Sequence, residues 1–130
     1  MSKTEMKRMP VFPGVLLLLS AANFVFAQEV YPSRPIRLVV PFPAGGAVDI
    51  MARDLGQRLT EAWRQQVVIE DRGGANGAIG SELVAKAKPD GYSLLMGSAG
   101  THAINPGLYA KLPYDAVKDF IAVALVANLT

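Results

Sequence analysis

The stretch VVPFPAGGAVDIMARDL, residues 39–55, ends an apolar run in Pro-Phe-Pro, crosses two glycines and enters a helical pattern. Over residues 47–63 the apolar positions recur at spacings of three and four, on a face made by Val48, Met51, Leu55, Leu59 and Ala62. The stretch therefore predicts a buried strand, a loop restricted by two prolines and an amphipathic helix. The loop itself has no lysine or arginine, so an anion held there would contact main-chain N–H groups.

The apolar runs IRLVV (36–40), QVVIE (66–70) and YSLLMG (92–97) are short and separated by helical patterns, which is typical of parallel strands buried on both faces. A second helix is predicted over 77–88, with Ile79, Leu83, Val84 and Ala87 on its apolar side. The run FIAVALVAN, 120–128, predicts a fourth strand. Alternation of strands and helices predicts an α/β fold with an open parallel sheet and flanking helices.

The first 27 residues have the layout of a secretory signal peptide. Basic residues precede the apolar run 11–27, and small residues near Ala27 fit cleavage after that residue. The alternative is a membrane anchor, but the run is short for a bilayer span and contains Pro13 and Asn23. We therefore predict a mature chain of residues 28–130 in the periplasm.

Charge and cysteine content exclude several functions. Residues 1–27 carry three of the 13 basic and one of the 11 acidic residues, which leaves ten of each in the mature chain. A neutral mature chain gives no support for nucleic-acid binding. The chain has no cysteine, which excludes disulfides and thiolate metal sites. No cofactor and no metal are expected.

Each predicted strand ends in a glycine-rich junction: PFPAGGAVD (41–49), DRGGANGAIG (71–80) and GSAGTH (97–102). In a parallel sheet these junctions share the carboxyl edge, where α/β folds bind ligands. A helix that begins on Gly-Gly exposes N–H groups and a partial positive charge, so it can hold a small anion. Asp49 lies in the first turn, where it either caps the helix or faces the ligand.

Enzyme motifs are not found at these junctions. Gly74, Gly77 and Gly80 form G-x-x-G-x-x-G, which is neither the dinucleotide pattern nor a P-loop. Residues 96–100 do not form the G-x-S-x-G of serine hydrolases, and the one histidine, His102, cannot build a usual zinc site. We interpret His102 as a hydrogen-bonded structural residue. An α/β enzyme acting on a phosphorylated substrate remains a weaker alternative.

Two long blocks carry a resemblance: YPSRPIRLVVPFPAGGAVDIMAR (31–53) and PDGYSLLMGSAGTHAINPGLYAKLPYDAVKDF (89–120). They resemble the Bug-type periplasmic solute receptors of tripartite tricarboxylate transporters. Departures from the family pattern are Gly73 and Gln66, where prolines are common, Asn76, where glycine is usual, and Ala116, where proline is common. None of them lies in the first or third junction.

The resemblance implies the first lobe of a type II periplasmic-binding-protein fold, incomplete over residues 28–130. It implies a receptor that binds a small carboxylate or related metabolite and delivers it to integral-membrane transporter subunits. The alternative is a truncated product that does not bind. Carried onto this chain, the ligand-binding residues are Phe42, Pro43, Ala44, Gly45, Gly46 and Asp49 in the first junction, and Ser98, Ala99, Gly100, Thr101 and His102 in the third.

Overall fold

The structure, a computed structural model, describes residues 30–128. The predicted signal peptide lies outside the described residues. In chain order the elements are strand β1 (Ile36–Val40), helix α1 (Ala47–Trp63), strand β2 (Val67–Asp71), a 3-10 turn (Ala75–Gly77), helix α2 (Ala78–Ala85), strand β3 (Ser93–Leu95), a π-helical turn (Gly100–Ile104) and helix α3 (Asn105–Leu108).

The three strands form a parallel sheet in the order β2-β1-β3. The pairing with β1 continues one residue past β2 and one past β3, through bonds from the Arg72 N–H to the Val40 carbonyl (2.7 Å) and from the Met96 N–H to the Val39 carbonyl (2.9 Å). All three strand ends therefore meet at one edge, as predicted. Only β1 is almost wholly buried, because β2 and β3 flank it and are themselves half-exposed.

Helix α1 packs on the sheet and begins and ends where the sequence predicts. Its buried centre is formed by Ala52 and Gly56, with the larger apolar residues of the helix on either side. A methyl group on Gly56 would lie 2.8 Å from Cδ1 of Ile69, so glycine lets the helix approach β2 without displacing the end of that side chain. The prediction that Ala62 lies on the buried face was wrong, since Ala62 is exposed and Trp63 packs against the core.

Helix α2 is shorter than predicted and uses another face. Its buried residues are Ala78, Gly80 and Ser81, whereas Ile79 is half-exposed. A methyl group on Gly80 would lie 2.7 Å from the Arg72 carbonyl oxygen and 2.9 Å from Cα of Pro41. The helix backbone lies so close to the end of β1 that only small side chains fit between them.

The predicted fourth strand was wrong. Residues 120–128 pair with no strand within the described part of the chain, and Ile121, Val123 and Leu125 are exposed. An apolar run predicts burial but does not supply the neighbouring strand that burial requires. Within residues 30–128, no helix is both long enough and apolar enough to span a bilayer.

The contact between α2 and the end of β1 can be tested with two glycine substitutions. We expect Gly80→Ala to lower the free energy of unfolding by about 1–3 kcal/mol, because the added methyl overlaps main-chain atoms. The control, Gly107→Ala in α3, has open space around the added methyl and should be neutral or stabilising by up to about 1 kcal/mol. Urea unfolding measures both. Equal stability of Gly80→Ala and the wild type would contradict this packing.

Candidate functional site

The first junction leaves the core at Pro41, which is fully buried, and exposes the main chain from Pro43 to Gly46. Gly46 is the N-cap of α1, and no side chain caps it. The first bond within the helix joins the Ile50 N–H to the Gly46 carbonyl (3.0 Å). The three N–H groups before Ile50 therefore have no acceptor inside the helix, as at any helix start.

Asp49 is buried and has charged and main-chain partners. Its Oδ2 accepts a bond from the Gly45 N–H (2.7 Å), and its Oδ1 lies 2.7 Å from Nε of Arg53. Asp49 thus accepts a main-chain N–H, as the capping interpretation predicts, but the donor Gly45 precedes the N-cap and no N–H of α1 itself is capped. The Gly45 bond, with the help of Arg53, holds the pKa of Asp49 below its ordinary value.

Arg53 also contacts β2, where its Nη2 lies 2.8 Å from Oδ2 of Asp71. Burial is the main cause that raises the pKa of Asp71, and the nearby negative charge of Asp49 raises it further. Arg53 thus joins two carboxylates at the carboxyl edge of the sheet. Arg72 is paired with Glu70, to whose Oε1 its Nε donates (2.6 Å).

The second junction lies between the other two. Gly74, Ala75, Asn76 and Gly77 all have positive φ angles, so the chain turns sharply here. A methyl group on Gly77 would lie 2.6 Å from Cγ2 of Thr101. A methyl group on Gly73, at the start of the same junction, would lie 3.2 Å from the main-chain nitrogen of Pro43 in the first junction. The three junctions are therefore in contact.

The third junction uses many of its polar groups internally. The Ser98 N–H donates to Oγ1 of Thr101 (3.0 Å), and the Thr101 N–H donates to Oγ of Ser98 (3.4 Å). The His102 N–H donates to the Ser98 carbonyl (3.0 Å). Ala99 and Gly100 lie in the first turn before that bond, so their N–H groups have no acceptor within the turn.

His102 has the contacts of a structural residue. Its Nδ1 lies 2.8 Å from Oγ1 of Thr101, and its ring packs edge-on against Phe120 with centroids 4.9 Å apart. Burial lowers the pKa of His102 below its ordinary value. The side chain is therefore neutral near pH 7, which suits a hydrogen-bonded ring better than an anion-binding cation.

A buried network that the sequence analysis missed connects the second and third junctions. Asn105 is fully buried and bonds to both the side chain and the carbonyl of Asn76. Its Nδ2 also donates to the hydroxyl of Tyr114 (3.3 Å), which in turn donates to the Thr101 carbonyl (2.6 Å). The polar residues in NPGLYAKLPYD, 105–115, were the only available signal, and nothing in their spacing indicates which loop they contact.

The predicted site residues lie at one edge of the sheet and differ in exposure. Phe42 is half-buried, Pro43, Ala44, Gly45 and Gly46 are exposed, and Asp49 is buried; Thr101 is fully buried, while Ser98, Ala99, Gly100 and His102 are partly or wholly exposed. An open depression of about 710 Å³ lies beside the third junction, between α3 and residues 112–119. His102 is the one predicted site residue that lines it.

The described residues contain no group of three histidine, aspartate or glutamate side chains arranged to hold a metal ion. Apart from the paired charged side chains and His102, the polar groups at the edge are main-chain N–H donors, a serine, a threonine and an asparagine. Such groups can bind an anion through hydrogen bonds and dipoles.

Comparison with solved structures defines the class. MatC from Rhodopseudomonas palustris with bound malate is 40% identical, with a TM-score of 0.71 over 74% of this chain and 33% of that one. R. palustris Rpa4515 with adipate is 42% identical, with a TM-score of 0.64 over 66% of this chain and 29% of that one. The structural neighbours include periplasmic binding proteins, so the fold is a lobe of that class.

The family follows from sequence. The model of the tripartite tricarboxylate transporter family receptor matches residues 51–130, and this chain belongs to that family. Protein BugT of Bordetella pertussis is 35% identical over 126 residues, which are 96% of this chain and 39% of BugT. The chain spans between 33% and 39% of the length of the first curated relatives that it matches. Proteins of this family are periplasmic solute receptors rather than enzymes.

The role of Asp49 can be tested by Asp49→Asn. We expect lower stability at pH 7, because the neutral amide weakens the bond from Gly45 and the ion pair with Arg53. The pKa of Asp49 is lowered by folding, so its contribution is present above about 3.8 and is lost as the pH falls through the folded value. The control is Asp54→Asn, which breaks an exposed pair with Arg58 and should change stability little. Thermal unfolding at pH 7 and pH 3 measures both; equal losses for the two variants at pH 7 would contradict a stabilising role for the contacts of Asp49 with Gly45 and Arg53.

His102 should make stability depend on pH in a defined direction. Its pKa is lowered by folding, so the unfolded chain binds the proton more readily, and stability falls as the pH drops below about 6.5. Chemical unfolding between about pH 7.5 and pH 5.5 measures this slope, and His102→Gln should flatten it. His102 is the single histidine of the chain, so no other imidazole confuses the result. A wild-type slope that the substitution leaves unchanged would contradict the assignment.

Proposed function

We propose that this chain supplies the carboxylate-binding wall of a periplasmic solute receptor. The observation that carries the proposal is the meeting of the three glycine-rich junctions at one sheet edge, where two helical segments begin without a side-chain cap. The candidate donors are the first-turn N–H groups of Ala47 and Val48 in α1 and of Ala99 and Gly100 in the third junction. Their dipoles favour a negative ligand.

The charges at the edge support binding by the main chain. Arg53 contacts two carboxylates, and Arg72 is paired with Glu70, so these cations are already neutralised. A ligand carboxylate would therefore be bound by amide dipoles over a short range. In this proposal Asp49 is a positioning residue, since it holds the Gly45 main chain in place beside the helix start.

Ligand class and partners are inferred from relatives. The solved structures with adipate and malate are 42% and 40% identical to this chain, which favours a small dicarboxylate. The receptor would receive its ligand in the periplasm after removal of residues 1–27 and deliver it to the membrane subunits of a tripartite transporter. We propose no catalytic role for the chain.

A second candidate is a product that binds nothing and self-associates. The exposed, uncharged segment 121–127 favours it, because such segments pair with exposed sheet edges. The binding experiment below separates the two candidates, since an aggregated chain would show neither dispersed spectra nor ligand-dependent shifts.

Simple energetics set the affinity expected of this wall alone. Roughly three charge-assisted main-chain bonds contribute about 2 kcal/mol each, or about 6 kcal/mol in total. Association costs at least about 4 kcal/mol, which leaves about 2 kcal/mol and a dissociation constant of tens of millimolar. We therefore expect no saturable binding at micromolar ligand, and weak binding in NMR titrations of the chain with adipate or malate.

Gly46→Ser tests the site directly. The serine hydroxyl can cap the first-turn N–H groups of α1, which consumes the donors that the ligand needs. An added Cβ has room, because its nearest neighbour is the Pro43 carbonyl oxygen at 3.5 Å. We expect equal or slightly higher stability and an affinity for adipate that is lower by about three- to tenfold.

Gly107→Ala serves as the control for Gly46→Ser, because it also adds a side chain to a glycine at a short distance from the junctions in sequence and its methyl meets no neighbour. It should leave the titration unchanged. The neutral diamide of adipate should produce no shifts at Gly45–Val48. An unchanged adipate affinity in Gly46→Ser, or shifts confined to other parts of the chain, would refute the proposed site.

A further inference from the structure

A chain of hydrogen bonds fixes the orientation of one exposed side chain at this edge. It begins at the Thr101 carbonyl, which can only accept, so the hydroxyl of Tyr114 must donate to it (2.6 Å). The Tyr114 oxygen then accepts from Nδ2 of Asn105 (3.3 Å), and the same Nδ2 donates to the carbonyl of Asn76 (3.0 Å). The two acceptors leave Asn105 one possible orientation.

The orientation of Asn105 determines that of Asn76. With its Nδ2 committed to two acceptors, Asn105 presents Oδ1 to Asn76, and Nδ2 of Asn76 must donate to it (2.8 Å). The remaining acceptor, Oδ1 of Asn76, makes no hydrogen bond to any residue between 30 and 128. Asn76 is exposed, so this oxygen is available to a ligand.

Asn76 lies against the third junction. A methyl group on Gly100 would lie 3.7 and 3.8 Å from Nδ2 and Oδ1 of Asn76. The Gly100 N–H is one of the donors without an acceptor in its turn. An acceptor of fixed direction thus lies next to a carboxylate-binding donor, at a position that the two predicted binding segments do not include.

We propose that Asn76 is a specificity-determining residue, whose Oδ1 accepts a hydrogen bond from a hydroxyl or ammonium group next to the carboxylate of the ligand. The inference rests on the proposed function, because it assumes that the carboxylate binds at this edge. Main-chain N–H groups bind any carboxylate, whereas an oriented acceptor favours ligands with a neighbouring donor. The expected ligand is a small carboxylate substituted at the carbon beside the carboxyl group.

Three four-carbon dicarboxylates test this inference, because succinate, malate and aspartate differ only in that substituent. In NMR titrations of the full chain, we expect malate or aspartate to bind about three- to tenfold more tightly than succinate. A preference for malate identifies a hydroxyl donor, and a preference for aspartate identifies an ammonium donor. Equal binding of all three acids overturns the inference and leaves the proposed function standing.

Asn76→Gly removes the acceptor and suits the local main chain, since the φ angle of 51° is one that glycine adopts freely. We expect the preference over succinate to fall to about one. Arg64→Gly is the matched control, because Arg64 also has a positive φ angle and lies at the opposite end of α1. It should retain the preference.

Tyr114→Phe tests the orientation mechanism while leaving Asn76 in place. Without the hydroxyl, Asn105 loses one of the acceptors that fix its direction, so the preference should decrease although no candidate ligand contact is removed. Retention of the full preference in Asn76→Gly would overturn the inference. The absence of ligand-dependent shifts for all three acids up to about 100 mM would overturn both this inference and the proposed function.

Discussion

The close approach of two glycines to Pro41 determines the geometry of the carboxyl edge. Pro41 is fully buried at the end of the central strand, and the main chain at Gly77 and Gly80 lies against it with no side chain between. Because protein interiors are closely packed, a single methyl at either glycine would separate the second junction from its neighbours. This contact holds the second junction between the first and the third, and so brings all three together.

Such proximity has an electrostatic consequence. The side-chain charges at the edge neutralise one another, as Arg53 contacts Asp49 and Asp71 while Arg72 contacts Glu70. The partial positive charge at the helix starts is therefore what the edge presents to solvent, and its effect is limited to about the first turn of each helix. Binding at this edge would therefore depend on close, direct contact with the amides rather than on long-range attraction of an anion.

The sequence predicted the architecture better than the packing. Periodicity located β1 and α1 correctly, because a buried central strand and a long amphipathic helix have strong and different repeats. Periodicity failed for α2, where Gly80 and Ser81 are buried and Ile79 is half-exposed. The reason is that the hydrophobicity of a residue does not indicate how closely two main chains approach each other. Periodicity also failed for residues 120–128, whose burial depends on a partner strand.

The candidate site was likewise predictable only in part from the sequence. Glycine-rich junctions after parallel strands predict where main-chain donors gather, and this part could be inferred from spacing alone. The network through Asn105 and Tyr114 could not, because it joins residues that are far apart in sequence and depends on side-chain directions.

That division has a functional meaning. Main-chain amides at an edge supply affinity for carboxylates in general, and every loop of this shape offers them. Discrimination among carboxylates needs a polar side chain whose donor and acceptor atoms cannot exchange places. At Asn76 the exchange is prevented by its neighbours, since two main-chain carbonyls with no proton to give, those of Thr101 and Asn76, together fix the direction of every bond. Selectivity at this edge would thus depend in part on a buried tyrosine that the ligand does not need to touch.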